Sequence, residues 1–342
     1  MVTPQKPWKL SKQQFSINAS ILIGSLALSP VLVNFTPLSG KLGFIFFFIL
    51  LSTISSTAVA ISRFGVRTIS NSLATTFIYL ATALVLLPLI SILYTVISRG
   101  LPALRLNTFT QDMSQTQPDA PFTEGGALHA IIGTIELVII AGIICVPIGI
   151  LTALYLTEVK GRFSKLVRFL VQAMSGVPSI VAGLFIYSVI IVGLGSHYSG
   201  VAGALALSIL MLPTVARTSE EVLKLIPNDL REAGVALGGT QWRTVARIVL
   251  PTARGGLMTA VILGVARVAG ETAPLLLTIL GSTAIHINPT DAPMNALPLY
   301  TFNLMRTGLE IAVSRAWAGA LVLLILVLAL FIFARLLSGK QK

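Results

Sequence analysis

Residues 127–156 read ALHAIIGTIELVIIAGIICVPIGILTALYL. One charged side chain, Glu136, interrupts the run. A helix needs roughly 20 mostly apolar residues to cross the hydrocarbon core. This stretch is long enough to tilt, or to run past the bilayer as a helix. Hydropathy marks seven more such stretches, at about 19–36, 42–61, 73–97, 168–194, 199–216, 256–281 and 316–337. Pro30 and Asn34 interrupt the first. The residues before Ile21 include Lys6, Lys9 and Lys12 but no convincing small-residue cleavage site, so the first span reads as a retained anchor. Composition agrees. Of 342 residues, 55% are hydrophobic and 11% charged, and the mean hydropathy is +0.90. Soluble domains carry about 25% charged residues. A soluble globule, a disordered chain and a disulfide scaffold are excluded, leaving an all-α integral membrane protein with eight spans. The single cysteine, Cys145, lies in an apolar run and has no partner for a disulfide or a cysteine metal site.

The net charge of +12 might suggest nucleic acid, but its placement answers otherwise. With eight spans, both termini share one side with loops 62–72, 157–167 and 217–255, and nearly all of the basic excess falls there. The other side is balanced: Lys41, Arg99, Arg105, Arg306 and Arg315 face Asp112, Asp119, Glu124, Asp291 and Glu310. The positive-inside rule puts both termini in the cytoplasm. The excess is topological, and no nucleic-acid partner is expected. Glu136, Arg267 and Glu271 remain inside spans. Outside, loop 98–126 is polar and reads as a connector. Segment 282–315 mixes prolines with apolar Leu297, Leu299, Tyr300 and Phe302, a pattern compatible with dipping back into the protein.

The cytoplasmic loop 217–255 carries local signals for two helices. Pro227-Asn228-Asp229 opens the first, with Asp229 as cap and Glu232 completing a capping-box-like pair. Gly238-Gly239 ends it. Thr240 caps the second and Pro251 stops it. A short helix thus projects from the membrane, and another leads back.

Residues 231–251, REAGVALGGTQWRTVARIVLP, resemble the EAA loop of ABC-transporter permeases, with Glu232, Ala233, Gly238, Ile248, Leu250 and Pro251 in register. Gly234 replaces the second alanine, small for small. The resemblance implies that this helix docks in a groove of a separate ATPase subunit, with Glu232, Ala233, Gly234 and Gly238 as coupling residues. No G-x-x-x-x-G-K-[ST] occurs in the chain. No cofactor is therefore expected on this chain, and ATP and Mg belong to the partner ATPase.

Further strings narrow the family: SGVPSIVAGLF at 175–185, ARVAGETAPLLLT at 266–278, MNALPL at 294–299 and AWAGALVL at 316–323. Together they resemble the A-type membrane subunit of bacterial phosphate-specific ABC importers, the PstA family, over about 69–338. That resemblance implies a six-span type I importer permease core at 69–338. Residues 1–68 are an N-terminal extension adding two membrane helices. It implies a non-catalytic subunit for inorganic phosphate import in the bacterial inner membrane. Its partners would be a C-type permease, an ATPase dimer, an extracytoplasmic phosphate-binding protein and membrane lipid. Rival readings are a permease for another oxyanion (molybdate or sulfate), an ATP-independent channel or secondary transporter, and a membrane enzyme on lipid-linked substrates. The last would want clustered carboxylates or histidines at a membrane face.

Arg267 lies about 17 Å along its span from the cytoplasmic start, close to the middle of a ~30 Å core. An arginine there costs at least roughly 2.5–3.5 kcal/mol and marks a polar path or a partner. Glu271, four residues on, shares its helix face. The pair reads either as a substrate path, with the guanidinium fork on phosphate oxygens and Glu271 as resting partner, or as an ion pair that locks packing. Arg217 follows Leu212-Pro213 at the cytoplasmic span end. The resemblance aligns it with a basic residue implicated in transport, and ordinary positive-inside placement explains it equally. Pro178 and Pro213 either break their helices toward a cavity or kink them. Glu136 faces a vestibule or is a hydrogen-bonded carboxyl. His129, His197 and His286 fall near outer helix ends at unrelated positions, and no metal is expected. Phe44–Phe48 read as lipid-facing.

Overall fold

The computed structural model describes residues 12–36, 40–66 and 69–337. Among these, thirteen α-helices carry the fold, with one isolated bridge pairing Leu280 and Met294. Seven helices are long and apolar enough to cross a membrane, or eight if one sharply bent pair counts as a span. The chain is a multi-pass membrane protein, and the all-helical expectation holds. Packing divides it into two compact units that meet in sequence between Leu93 and Tyr94.

The first unit contains α1 (Lys12–Asn34), α2 (Gly40–Phe64) and most of α3 (Ile69–Gly100). Pro30 lies inside α1 and Pro88 inside α3 without ending either. Helices α1 and α2 pack along each other, and Ser25 and Ser29 are buried. In α2 the Phe44–Phe48 run is mixed: Phe46 is exposed and Phe47 buried.

The second unit is organised around α7 (Gly200–Lys224), which packs most extensively against α4 (Leu128–Leu154) and next against α10 (Leu250–Ala269). Leu137, Ala141 and Cys145 of α4 meet Ala204, Leu207, Met211 and Val215 of α7 in one buried cluster. Cys145 Sγ donates to the Ser208 carbonyl at 3.3 Å. Glycines bring the backbones close, as membrane helix packing requires. A Cβ at Gly149 would stand 2.9 Å from Val215, and one at Gly264 2.7 Å from the same residue. The fourth span runs on from α4 through a π-helical turn, Tyr155–Val159, as its length in the sequence allows.

Two spans differ from the hydropathy reading. The stretch 168–194 is α5 (Ser164–Ser175) followed by α6 (Ser179–Ile186) and a π-helical turn to Gly193, bent by 102°. Pro178 disfavours helical backbone at Val177 and lacks the N–H that would continue the helix. The stretch 256–281 begins earlier and breaks in the middle. From α9 (Gln241–Thr244) a π-helical turn, Val245–Val249, leads into α10 without interruption, so Pro251 does not stop the helix. Proline costs its own N–H and crowds the carbonyl four residues back. The wider π turn there absorbs that defect, as π-bulges do inside helices. After Ala269 the helix ends, and Gly270-Glu271-Thr272 leads to α11 (Ala273–Thr278).

The outer segments are knitted rather than loose. Segment 282–315 contains α12 (Leu297–Arg306), whose Leu297, Tyr300 and Leu304 are buried against α13 (Glu310–Leu337) and its neighbours. Burial pushes the Tyr300 phenol up to about 12. The Leu297 N–H donates to Thr134 Oγ1 of α4 at 2.8 Å. Loop 98–126, expected as a mere connector, packs too: Met113 is buried and its N–H donates to Thr283 O. Asp112 accepts from Ser114 and from the Ile285 N–H. Desolvation opposes ionisation of Asp112, but these donors outweigh it and hold its carboxyl below the usual range. Arg315 Nη2 reaches the carbonyls of Ala120, Pro121 and Glu124 at 2.6–2.9 Å.

The glycine seam gives a direct expectation. Gly264→Leu should lower the stability of the purified chain by about 1–3 kcal/mol, the usual cost of overpacking. Gly142→Ala meets nothing within 4 Å and should leave it unchanged or slightly raised. Thermal unfolding in detergent separates the two, and equal midpoints would contradict the seam.

Candidate functional site: a broken membrane helix and a projecting cytoplasmic helix

Arg267 occupies the last turn of α10, where a cation complements the helix dipole. Its Nη1 donates to Thr214 Oγ1 of α7 at 3.3 Å; Arg267 is exposed and Thr214 half-buried. Thr214 stands about 21 Å from the start of α7 and about 15 Å from its end. The guanidinium thus lies against the inner part of α7, about one turn from Arg217. Arg217 is exposed three residues further along α7, on the side that carries Thr214. Pro213 stays inside α7 as a packed, buried residue.

Glu271 does not share the face of Arg267, because α10 has already ended at Ala269. It sits half-buried in the unwound step before α11. Among the described residues the ion pairs within 4 Å involve Glu158, Glu220 and Glu221. The expected Arg267–Glu271 pair is not one of them, since the four-residue spacing brings side chains together only along a continuous helix. A second unwound step, Gly176–Pro178, precedes α6, and α6 packs on α11. There a Cβ at Gly183 would come within 2.6 Å of the Pro274 backbone. Irregular backbone at membrane depth is tolerated where protein or a polar cavity receives it, and such broken helices frame substrate sites in transporters.

Beyond the end of α7, α8 (Asn228–Ala236) projects with Glu232, Ala233 and Val235 exposed. Leu237 just past it is 89% exposed and Trp242 is exposed as well. Gly238 takes φ +82, and the N–H groups of Gly238 and Gly239 return to Val235 and Gly234 carbonyls. That ending follows the sequence reading, as does Thr240, whose side chain accepts from the Arg243 N–H. The start differs: α8 has no side-chain cap, and Asp229 lies in the first turn, where it complements the helix dipole. Asn228 precedes it and accepts from Arg231 instead.

Two charged residues that the sequence reading passed over hold this region together. Arg231 of α8 reaches Glu158, at the end of the fourth span, with Nη2 at 2.8 Å and Nε at 3.1 Å. The same guanidinium takes the carbonyls of Leu223 at 3.0 Å and Ile226 at 2.6 Å. The Glu158 side chain is only 5% exposed, and the Glu158 carbonyl accepts from Gln241. The available signal was an acid placed among basic residues in loop 157–167. Nearby, Glu220 of α7 binds Arg168 of α5 at 2.8 Å and Lys224 at 3.0 Å. An open cavity of about 910 Å³ lies among these residues, bordered by Glu158, Arg168, Lys224, Arg231 and Glu232.

Other candidates fall elsewhere. Glu136 is half-buried, and its Oε2 is buried with no hydrogen-bond partner among the described residues. His129 is buried edge-on to Tyr300, with ring centroids 5.5 Å apart. Among the described residues no three His, Cys, Asp or Glu side chains gather as a metal-ion site.

Gly234 is tested by its neighbour. A Cβ there would stand 2.6 Å from Thr244 Cγ2, and threonine is stiff at χ1. Gly234→Ala alone should destabilise the chain by about 1–3 kcal/mol. With Thr244→Ala added, the clash disappears and the alanine's helix preference of about 1 kcal/mol offsets most of the loss. A double-mutant cycle of unfolding midpoints measures this, and strict additivity would refute the contact.

A family profile described as "Binding-protein-dependent transport system inner membrane component" matches residues 145–342. The phosphate transport system permease protein PstA 1 of Mycobacterium tuberculosis is 41% identical over 263 residues, 76% of this chain and 85% of that one. PstA of Pasteurella multocida is 41% identical over 285 residues, 82% of this chain and 98% of its own length. A solved bacterial ABC transporter involved in importing the acidic polysaccharide alginate shares the fold, with TM-score 0.54 at 16% identity over 77% of this chain and 96% of that one. With broken spans, a projecting coupling-type helix and this kinship together, the chain belongs to the PstA family of binding-protein-dependent transport permeases.

Proposed function

We infer that this chain is one half of the membrane pathway of an ATP-driven importer of inorganic phosphate. The observation that carries the reading is kinship of about two-fifths identity, over nearly the whole length of relatives named as phosphate transport permeases. The site chemistry fits the substrate. Arg267 offers a planar, permanently charged fork, held here by one neutral hydroxyl. Arg217 continues the basic path toward the cytoplasm, and Glu271 at the unwound step limits how tightly an anion is retained. A conduit needs attraction without trapping.

In this reading Glu232, Ala233, Gly234 and Gly238 belong to the helix that docks into an ATPase dimer. A C-type permease completes the path, and an extracytoplasmic phosphate-binding protein delivers substrate to the outer segments. ATP and Mg are used on the ATPase, with no cofactor held by this chain. Both termini face the bacterial cytoplasm. Residues 69–338 form the permease core, and 1–68 add an anchor beyond it. That four-fifths of this chain covers 98% of the Pasteurella multocida relative supports an added segment.

Two measurements test this. In the assembled complex, Arg267→Gln should reduce phosphate uptake at least about a hundredfold with normal complex yield, and Arg267→Lys should keep part of it, since lysine keeps the charge but loses the fork. Wild-type uptake in Arg267→Gln would refute the anion contact. In a Cys145→Ser background, Gln117→Cys should label from outside intact cells. Leu237→Cys should label only after permeabilisation. The reverse pattern would invert the topology.

A further inference from the structure

The projecting helix α8 touches the membrane helices in an uneven way. Its helix packing is against α9 and the π turn 245–249, with Gly234 seated on Thr244 and Ile248. Toward α4 and α7 it borders the open cavity of about 910 Å³. One side chain bridges that gap with a full set of bonds. Arg231 holds both Glu158 oxygens, at 2.8 and 3.1 Å, and the carbonyls of Leu223 and Ile226. Glu158 ends the fourth span, and Leu223 lies in the last turn of α7.

We propose that the Glu158–Arg231 pair, with the carbonyls at the end of α7, is the joint that carries movement of the projecting helix into α4 and α7. Arg231 and Glu158 are positioning residues. The inference rests on reading α8 as the ATPase-docking helix, and it adds which membrane helices that motion reaches. The geometry favours a joint over a simple staple. A bidentate guanidinium fixes direction as well as distance, and the cavity beside it leaves α8 room to shift. Because α7 also carries Thr214 and Arg217, a displacement delivered at Leu223 travels along one continuous helix to the Arg267 contact.

The test uses the whole importer in liposomes: this chain with its C-type partner, ATPase and phosphate-binding protein. Phosphate uptake and ATP hydrolysis are measured together for wild type, Arg231→Gln, Arg231→Lys and Glu158→Gln. Uptake per ATP should fall about tenfold in Arg231→Gln, and less in Glu158→Gln, which leaves the carbonyl contacts in place. Arg231→Lys should fall between wild type and Arg231→Gln, because it keeps one charged contact. Hydrogen exchange on the same complexes supplies the second readout. On ATP addition, exchange in wild type should change at 155–159 and 222–226 as well as at 228–238. In Arg231→Gln the change should stay within 228–249. Unaltered uptake per ATP in both glutamine variants overturns the joint. So does a fall in complex yield with normal uptake per ATP in the complexes that remain, the signature of a purely structural pair. If the ATPase leaves 228–238 unprotected in wild type, the docking reading fails and takes the joint with it. Protection there with unaltered variants removes the joint alone.

Discussion

The close approach of α4 and α7 is the contact on which the rest of the second unit depends. Lipid tails are as apolar as leucine, so helices in a bilayer associate through packing rather than exclusion of water. Here the packing is made by small residues: Ala141 and Gly149 on one side, and Ala204 and Ser208 on the other. Once α7 is held there, α10 docks through Gly264 and Gly256 against Met211, Val215 and Val222. One helix therefore carries Thr214, Glu220 near its end and the carbonyl that Arg231 grips. The carbonyl gripped by Arg231 and the hydroxyl that binds Arg267 thus sit on one continuous helix.

Much of this was legible in the sequence. Apolar runs of sufficient length identify spans whatever packs around them, so seven or eight spans and the short helix after α7 followed from local signals. Gly238 and Thr240 were readable because capping is local: each acts within a few residues. Failures arose where the deciding interaction was remote. Pro251 reads as a stop only if the helix before it stays α-helical. The π turn at 245–249 removes that premise. Glu271 reads as the partner of Arg267 only if α10 continues, and nothing in four-residue spacing reveals that the helix ends at Ala269. Glu158 and Arg231 are 73 residues apart, and neither has an unusual local context beyond its sign.

The outer segments teach the same lesson with the opposite sign. Loop 98–126 is polar and proline-rich, which by composition marks a connector. In the fold its backbone is pinned to segment 282–296 through Met113, Asp112 and Ile285. Arg315 clamps three of its carbonyls from α13. Backbone carbonyls brought near a bilayer surface need donors, and one guanidinium supplies several at once.

Three arginines show how function separates from scaffolding in this chain. Arg315 is buried and donates to three carbonyls. Arg231 is bound by a carboxylate and two carbonyls. Arg231 engages all three of its guanidinium nitrogens, whereas Arg315 donates through Nη2 and its buried Nε has no partner among the described residues. Arg267 has the same five donors, yet its hydrogen bond among the described residues is one to a neutral hydroxyl at 3.3 Å. Glu271, four residues away in sequence, is diverted by the helix break instead. The break thus leaves the guanidinium without the carboxylate that a continuous helix would have set beside it, and in the proposed phosphate path those unused donors are the ones the anion would meet.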